Sequence, residues 1–238
     1  MNGYAALFSP CQELPKQLRH FLCFGKISNT RSLEGFFVKK WTSAAEFINS
    51  KQRGRGSMRI EKRDFTVNGL TYTIRSATEQ DAGELSALRL QIDGETENLD
   101  REKGEDYIDE AGFSELIRAD AASSRNLFLV AVAEGQIVAF SRCAGSPLKR
   151  FAHKVEFGVG VLQAFWGYGI GKHLLHESIA WADRTGVKKM TLHVLETNEK
   201  AIRLYERLGF EVEGVLKQDK LLSDGNYYNT IVMGRYRD

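Results

Sequence analysis

The sequence predicts a layered α/β domain with a mixed sheet. From Met58 onward, short apolar stretches with period-two alternation take turns with stretches of helical spacing, which is the pattern of an α/β domain. Two turn signals, Glu134-Gly135 and Asp224-Gly225, indicate one hairpin early in the domain and one at its end. Hairpins at both places disfavour a purely parallel, doubly wound sheet.

The early part of the domain predicts three strands and one helix. Tyr72–Ser76 alternates as a strand, and the segment from Thr78 to Asp81 resembles the capping start of a helix that continues through Leu90. Leu127–Ala133 and Gln136–Ser141 are apolar strands around the first turn signal. We therefore expect an antiparallel hairpin there.

The next strand, Lys154–Val161, has one face that carries almost no side chains. Its apolar face consists of Val155, Phe157, Val159 and Val161. Its other face has Glu156 followed by Gly158 and Gly160. Because glycine weakens a strand, two glycines on one face indicate that something approaches the backbone closely there. A β-bulge is the alternative.

Residues 167–171 are rich in glycine and precede a helix that we expect to run through about Arg184 and to end at Gly186. Its apolar stripe contains Leu175, Ile179 and Ala182, and Glu177 is expected to turn away from it. A strand, a helix and a closing pair of strands follow, at Lys189–Leu195, Lys200–Leu208, Phe210–Leu222 and Tyr227–Tyr236. Gly209 is expected to stop the second helix.

Composition excludes several classes of protein. Hydrophobic residues make up 42% and charged residues 27% of the 238 residues, which is ordinary for a globular domain with a sizeable core. Cys11, Cys23 and Cys143 form no CxxC pair, which argues against a zinc site and a disulfide framework and favours a reducing cytoplasm. No apolar run approaches the ~18 residues of a membrane span.

Residues 1–57 differ in character from the rest of the chain. They contain nine Lys and Arg against three Glu, a net charge of +6, so the rest carries −4 of the chain's total of +2. Lys51–Ser57 resembles a linker, which divides the chain into a basic extension, 1–57, and a domain, 58–238. We expect a solvated or disordered extension, or a mis-called start with Met58 as the true one. Contact with nucleic acid or an anionic membrane is the less favoured alternative.

The segment Trp166–Lys172 has a Gly-x-Gly-x-Gly pattern directly between a strand and a helix. At such a junction, backbone N–H groups and the helix N-terminus can hold a phosphate, so the pattern predicts a phosphorylated cofactor. It is not a P-loop, because the Gly167-to-Gly171 spacing is one residue short and His173 replaces the required Ser or Thr. It also departs from the dinucleotide pattern GxGxxG. A tight turn without a ligand is the alternative.

Two segments together resemble the GNAT superfamily of acetyl-CoA-dependent N-acetyltransferases. Val161–Leu175 is similar to that superfamily's pyrophosphate-binding segment, and Glu196–Phe210 is similar to its second signature, in the right order and at the right distance. The similarity spans Tyr72 to Arg237. It implies a mixed, mostly antiparallel sheet of six to seven strands, flanked by helices, whose central strands splay apart.

The resemblance also implies acetyl-CoA as co-substrate and no metal. The strand that ends near Val161 would pair with the pantetheine arm, and the glycine segment would hold the pyrophosphate. Asn198 would reach the pantetheine side, with a helix N-cap as its alternative role. Trp166 stands where the family commonly has Gln or Arg. The implied cofactor-binding residues are Val159, Val161, Trp166, Gly167, Gly169, Ile170, Gly171, Lys172 and Asn198.

Acetylation of an amine requires two proton transfers. An alkyl ammonium of pKa ~10.4 must lose a proton, and the departing thiolate, comparable to cysteine at ~8.5, gains from receiving one. We expect Glu156 to be the base, directly or through a water, and the resemblance implies Tyr205 as the acid. A solvent-facing Glu and a packed core Tyr are the alternatives. Backbone N–H groups near Val161 and Leu162 would stabilise the oxyanion. His173, His176 and His193 lack partners at metal-ligand spacing.

Residues 93–110 are strongly acidic, with nine Asp and Glu against two Lys and Arg, a net charge of −7. In the family this part of the chain covers the acceptor pocket. The acidity therefore indicates a cationic amine, such as a polyamine, an aminoglycoside or a peptide amino terminus, with Glu95 and Glu97 as substrate-binding residues. A solvated acidic surface is the alternative.

These observations lead to one functional expectation. We expect a cytoplasmic N-acetyltransferase that acetylates a primary amine of a small molecule or peptide by direct attack in a ternary complex. It would have no nucleic-acid or membrane partner, and a homodimer is left open. A catalytically inactive acyl-CoA-binding sensor is the alternative.

Overall fold

One sheet of eight strands, flanked by four α-helices, forms the framework of residues 59–237, the part of the chain that the computed structural model describes. The expectations for residues 1–57, and for Met58 as a start, lie outside the described residues. The strands are β1 (Arg63–Val67), β2 (Leu70–Ser76), β3 (Leu127–Ala133), β4 (Gln136–Gly145), β5 (Lys154–Val161), β6 (Lys189–Leu195), β7 (Glu211–Leu221) and β8 (Tyr227–Tyr236). The helices are α1 (Ala82–Glu95), α2 (Glu110–Ala122), α3 (Ile170–Thr185) and α4 (Glu199–Arg207). None of these helices is long and apolar enough to cross a membrane.

The strand order β1-β2-β3-β4-β5-β6-β8-β7 confirms the predicted mixed, mostly antiparallel sheet. Neighbouring strands are antiparallel except β5 and β6. The sheet has one strand more than the upper end of the prediction, because β1 precedes the first predicted strand. Asn68 and Gly69 join β1 to β2 with φ angles of 49° and 83°. An Asn-Gly pair is a strong hairpin signal, so the sequence does contain the signal for β1.

The capping segment before α1 forms as predicted. Thr78 donates to Asp81 Oδ2 twice, from its backbone N–H at 2.7 Å and from its hydroxyl at 3.0 Å. Asp81 also accepts a two-point hydrogen bond from Arg75 at 2.7 and 2.8 Å. A single 3₁₀ turn, Glu79–Asp81, therefore leads directly into α1. The helix continues to Glu95, beyond the predicted end at Leu90.

The helices α1 and α3 lie on opposite faces of the sheet. A side chain at Gly160 would place its Cβ 3.2 Å from Phe140 and 3.4 Å from Ile92 of α1. A Cβ at Gly171 of α3 would instead lie 3.6 Å from the Val161 side chain. Because successive strand residues point to opposite faces, Gly160 faces α1 and Val161 faces α3. The close approach predicted at the two glycines of this face is thus observed at Gly160, whereas a Cβ at Gly158 would meet no atom within 4 Å. The pairing of β4 with β5 is unbroken, so the β-bulge alternative is wrong.

The core lies between the sheet and the helices. Its fully buried members include Ile74, Leu85, Leu129, Leu174, Leu175, Trp181 and Leu192. Glu177 of α3 is also buried, and its carboxylate accepts a hydrogen bond from Arg63 at 3.1 Å. The expectation that Glu177 turns away from the core is therefore wrong. Burial of this carboxylate is tolerated because a cation from β1 partners it.

The C-terminal hairpin forms around Asp224-Gly225 as predicted, and its outer strand, β7, is exposed along most of its length. β7 is an edge strand of the sheet. Its exposed apolar side chains are Val212, Val215, Leu216 and Leu221. The pairing of β7 with β8 is interrupted twice, and Gln218 in the second interruption has a φ of 53°. Such irregularities limit the pairing of an edge strand with other chains.

Candidate active site

β5 and β6 form a cleft because they pair only over their first residues. Parallel pairing joins Lys154–Glu156 to Lys189–Thr191 and then stops. β5 nevertheless stays paired to β4 as far as Val161, and β6 stays paired to β8 as far as Leu195. The two strands therefore diverge toward their C-terminal ends. The V-shaped cleft between them confirms the expectation of splayed central strands.

The β5 side of the cleft is lined by backbone polar groups. The Leu162 N–H donates to the Val138 carbonyl at 3.0 Å, in continuation of the regular β4–β5 register. Antiparallel pairs alternate, so the N–H and C=O groups of Val159 and Val161 point away from β4, toward the cleft. The Val161 carbonyl accepts a hydrogen bond from the Trp166 indole at 2.8 Å. Because the Leu162 N–H is already bonded, it is not the oxyanion donor that we expected. The Val161 N–H is the remaining candidate.

The glycine turn after β5 presents the N-terminus of α3. Gly167 and Gly169 have φ angles of 87° and 74°, a left-handed conformation in which non-glycine residues are strained. Gly169 is the N-cap of α3, and the first hydrogen bond from the helix to it is donated by the His173 N–H at 3.0 Å. The amides of residues 170–172 precede that bond. They therefore have no partner within the helix, the arrangement in which a helix N-terminus can bind an anion.

The buried Tyr72 side chain supports this turn through hydrogen bonds. The Tyr72 hydroxyl donates to the Tyr168 carbonyl at 3.1 Å and lies 2.6 Å from His173 Nδ1. A hydroxyl has one proton to donate, so Nδ1 of His173 is the donor in the second contact. The Phe65 ring stacks on the imidazole at a centroid distance of 4.3 Å. Burial, followed by the nearby charge of Lys172, lowers the pKa of His173. The contacts with Tyr72 and Phe65 hold the imidazole in one orientation.

The helix α4 carries both residues taken from the second signature. The Asn198 side chain accepts a hydrogen bond from the Ala201 N–H at 3.3 Å, so the alternative N-cap role is observed. Tyr205 is only 9% exposed, and its ring lies 5.9 Å from that of Phe210. Burial raises the pKa of Tyr205 to about 12. The phenol therefore stays protonated over the whole physiological range of pH.

Glu156 and His193 meet where β5 and β6 separate. The Glu156 carboxylate lies 3.7 Å from His193 Nδ1. Their side chains are 62% and 44% exposed, so both face open space rather than the core. Glu156 pairs with Thr191 at the last rung of the parallel ladder, and His193 is the next residue on the same face of β6. The sequence pattern gave no reason to associate these two residues.

A short acidic segment spans the open end of the cleft. We call residues 95–100 the acidic strap. On one side, Glu95 accepts a hydrogen bond from the Gln163 N–H, just after β5, at 2.7 Å. On the other side, Glu97 accepts from the Ser223 N–H at 2.8 Å. Asp100 contacts the Lys220 ammonium at 2.5 Å. The strap therefore connects the end of β5 to the β7–β8 hairpin, which extends beyond the end of β6.

The rest of the acidic segment is not a uniform solvated surface. The Asp93 side chain is 3% exposed and lies within 3.6 Å of both Arg89 and Arg101. Asp109 caps α2 by accepting from the Gly112 N–H at 2.8 Å. These acidic residues have structural partners inside the domain. In residues 59–237, no group of three or more His, Cys, Asp or Glu side chains is arranged to hold a metal ion.

Comparison with known protein families identifies the family to which this chain belongs. Residues 92–210, half of the chain, match the acetyltransferase (GNAT) family. The match contains β5, the glycine turn, α3, β6 and α4, the elements that build the cleft. The chain belongs to the GNAT acetyltransferase family.

Two curated relatives of this GNAT acetyltransferase are named N-acetyltransferases. The L-amino acid N-acetyltransferase AaaT of Escherichia coli (strain K12) is 30% identical over 110 residues, which are 46% of this chain and 67% of that protein. The [ribosomal protein bS18]-alanine N-acetyltransferase of Haemophilus influenzae is 30% identical over 112 residues, which are 47% of this chain and 73% of that protein.

Solved structures agree on the fold. An acetyltransferase of the GNAT family from Streptococcus pneumoniae has a TM-score of 0.68 and 25% sequence identity, and the match covers 70% of this chain and 99% of that one. The acetyltransferase yncA from Salmonella typhimurium, described with its cofactor acetyl-CoA, has a TM-score of 0.62 and 24% identity over 70% of this chain and 94% of its own. The predicted fold class is therefore confirmed.

The structure brings most predicted cofactor residues of this GNAT domain to one end of the cleft, where β5, the glycine turn and the start of α3 meet. Their ligand contacts remain predictions, as do the roles of Glu156 and Tyr205. Three residues beside the cleft were not predicted, namely Tyr72, His173 and His193. Each contacts a partner on another strand or helix, and sequence spacing does not reveal such a partner.

Proposed function

We propose that this chain transfers the acetyl group of acetyl-CoA to a primary amine of a small molecule or peptide, by direct attack in a ternary complex. The observation that carries the proposal is the cleft itself, where unpaired strand amides of β5 adjoin the left-handed glycine turn and the free amides that begin α3. An extended thioester carrier with a diphosphate fits both features. The family match supports the same conclusion.

The cofactor would lie along the β5 side of the cleft. Amides of the glycine turn and of the first residues of α3 would bind its pyrophosphate, and Val159 would pair with the pantetheine arm as an added strand does. Val161, whose carbonyl is bonded to Trp166, would contact the cofactor through its N–H alone. Trp166 would contribute its ring rather than a hydrogen bond, because its indole N–H is bonded to Val161. Asn198 would use its amide nitrogen, since its oxygen caps α4.

The chemistry would begin with loss of a proton from the ammonium to Glu156, directly or through a water. The neutral amine would then attack the thioester carbonyl, with the Val161 N–H near the developing oxyanion. Tyr205 would hydrogen-bond the departing sulfur. Its pKa of about 12 lies well above the ~8.5 of a thiol, so the hydrogen bond rather than complete proton transfer would supply most of the stabilisation.

The acceptor is proposed to be a cationic amine that enters beside the acidic strap. Glu95 and Glu97 would attract it, although each also accepts a backbone hydrogen bond. The names of the two curated relatives specify N-acetylation of an L-amino acid and of an alanine of a ribosomal protein. That agreement supports an amine acceptor here.

The test is release of free thiol from acetyl-CoA by the purified chain against a panel of polyamines, aminoglycosides, amino acids and peptides. We expect thiol release with at least one cationic amine. Calorimetry with coenzyme A provides the companion measurement. Binding without thiol release from any amine would indicate an acyl-CoA sensor, and absence of binding would contradict the proposed site.

A further inference from the structure

Where β5 and β6 separate, a carboxylate and an imidazole lie next to empty space. Glu156, at the last rung that joins β5 to β6, lies 3.7 Å from His193, which is the next residue of β6 on the same face of the sheet. The next residue of β5 on that face is Gly158, and a Cβ there would meet no atom within 4 Å. The empty space ends at Gly160, against which Phe140 and Ile92 pack. A small amine therefore has room directly beside the pair.

The chemistry of the two side chains suits proton removal. Histidine is the side chain whose charge changes near neutral pH, and a carboxylate next to one ring nitrogen favours a proton there and leaves the other nitrogen as an acceptor. The separation of 3.7 Å is longer than a hydrogen bond, but catalytic contacts are often long before substrate binds, and a water can bridge them. In residues 59–237, Glu156 is the one carboxylate within 4.0 Å of His193.

We propose that His193 is a catalytic residue of this acetyltransferase. Its free ring nitrogen takes the proton from the substrate ammonium, and Glu156 orients the ring and stabilises the imidazolium. The amine lone pair then forms the bond to the acetyl carbon, the carbon–sulfur bond breaks, and the thiolate leaves with the electron pair. The second proton of the amine nitrogen passes to that thiolate, which gives the neutral amide and the free thiol of coenzyme A. The proton on His193 returns to solvent after product release. The proposal rests on the proposed function and assigns the first contact with the amine to His193 rather than to Glu156.

A structural role makes a different prediction from a catalytic one. As an exposed ion pair, Glu156 and His193 would contribute little to stability and nothing specific to chemistry. A base is needed only when the amine arrives protonated. The dependence of the rate on the basicity of the amine therefore separates the two roles.

The experiment compares the full-length His193→Gln variant with the wild-type chain on two amines. One is the best alkyl amine from the panel, protonated at neutral pH because its pKa is ~10.4. The other is a hydrazide or alkoxyamine, which is already neutral under the assay conditions. We expect kcat/KM to fall ~100-fold for the alkyl amine and to change little for the weak base. His176→Gln, which replaces an exposed histidine on α3, is the matched control.

Two further measurements complete the test. Added imidazole should restore part of the alkyl-amine rate of His193→Gly, which covers the case that the weak base is a poor substrate. The double variant Glu156→Gln/His193→Gln should be no slower than His193→Gln alone, because Glu156 acts through His193. Equal losses on both amines without imidazole rescue, or no loss on either, would overturn the proposal. If the wild-type chain releases thiol and His193→Gln does so at the same rate, this inference alone is contradicted. If the wild-type chain shows no turnover with any amine, the proposed function is contradicted.

Discussion

The two sides of the cleft are held together in different ways. On the cofactor side, β5, the glycine turn and the start of α3 are consecutive in the chain, and the groups that line them belong to the main chain. On the acceptor side, the acidic strap reaches the β7–β8 hairpin through side chains separated by more than a hundred residues, as in Glu97 to Ser223. The first arrangement depends on backbone conformation. The second depends on individual charges.

This difference affects how readily each side can change. A backbone amide is present whatever the residue type, so the cofactor side tolerates substitution except where the left-handed conformation requires glycine. The strap contacts are exposed and each contributes little. Asp100, for example, is 72% exposed in its contact with Lys220. We infer that acetyl-CoA binding is fixed by the fold, while the acceptor side can be retuned by single charges.

The largest expected effect lies between the two sides, at Tyr205. Tyr205→Phe should lower kcat at least ~100-fold, because the departing thiolate loses its hydrogen-bond donor. Stability and coenzyme A affinity should stay near wild type, since the phenyl ring keeps its packing against Phe210. Thiol-release kinetics and calorimetry measure the two quantities. An unchanged kcat would show that Tyr205 is only a core residue.

The next largest effect is expected from a change in the backbone conformation of the glycine turn. Gly169→Ala should destabilise the fold by about 1 kcal/mol, because φ is 74° there, and should weaken acetyl-CoA binding at least ~10-fold by distorting the turn. Gly186, at the other end of α3, has a φ of 77°, and an added Cβ would meet no atom within 4 Å, so Gly186→Ala is the matched control for backbone strain. It should cost the same stability without loss of affinity. Equal affinities for the two variants would remove the glycine turn from the cofactor site.

How far the sequence predicts this structure depends on the range of the interactions. β5, β6 and β8 have the predicted bounds, and α4 and β7 differ from them by one residue at each end, because periodicity, caps and turn signals are local. The cleft was predicted through the resemblance. α2 was not predicted, because its N-cap, Asp109, lies among the many acidic residues of 93–110 and does not stand out there as a helix start.

The contacts that the sequence could not predict all join distant parts of the chain. Glu177 is buried because Arg63 on β1 reaches it. His193 approaches Glu156 because β5 and β6 are neighbours, although a helix separates them in sequence. Periodicity reports the face on which a residue lies, but it does not report the residue that it meets there.

A smaller effect on acetyl-CoA affinity is expected at Tyr72, which supports the glycine turn. Tyr72→Phe removes the hydroxyl that holds the Tyr168 carbonyl and contacts His173. Loss of a hydrogen bond worth about 1 kcal/mol should weaken acetyl-CoA binding ~5-fold. Tyr228→Phe, which removes a hydroxyl bonded to Asp224 on the exposed hairpin, is the control and should leave binding unchanged. Equal acetyl-CoA affinities of the two variants would mean that the glycine turn does not depend on the Tyr72 hydroxyl.

The acceptor side should respond weakly to loss of charge. Glu95→Gln and Glu97→Gln keep an oxygen for the Gln163 and Ser223 amides, so each removes the negative charge alone. An exposed charge is worth up to ~1 kcal/mol, so the KM for a cationic acceptor should rise ~2- to 5-fold, less at high salt, with the KM for acetyl-CoA unchanged. Glu102→Gln, outside the strap, is the control. Equal acceptor KM values in all three variants would assign the strap a purely structural role.

The smallest effect is a pH dependence on the cofactor side. Burial lowers the pKa of His173 below its ordinary 6.5, so the unfolded chain binds a proton more readily than the folded one. Stability should therefore fall as the pH decreases through about 6.5 toward the lower folded-state pKa, and should be fully present above 6.5. His173→Gln, which can still donate a hydrogen bond to Tyr72, should reduce the fall in melting temperature between neutral pH and about pH 5. His153→Gln, which replaces an exposed histidine just before β5, should leave that fall unchanged. If both variants retain the wild-type dependence, His173 is protonated as readily in the folded domain as in the unfolded chain.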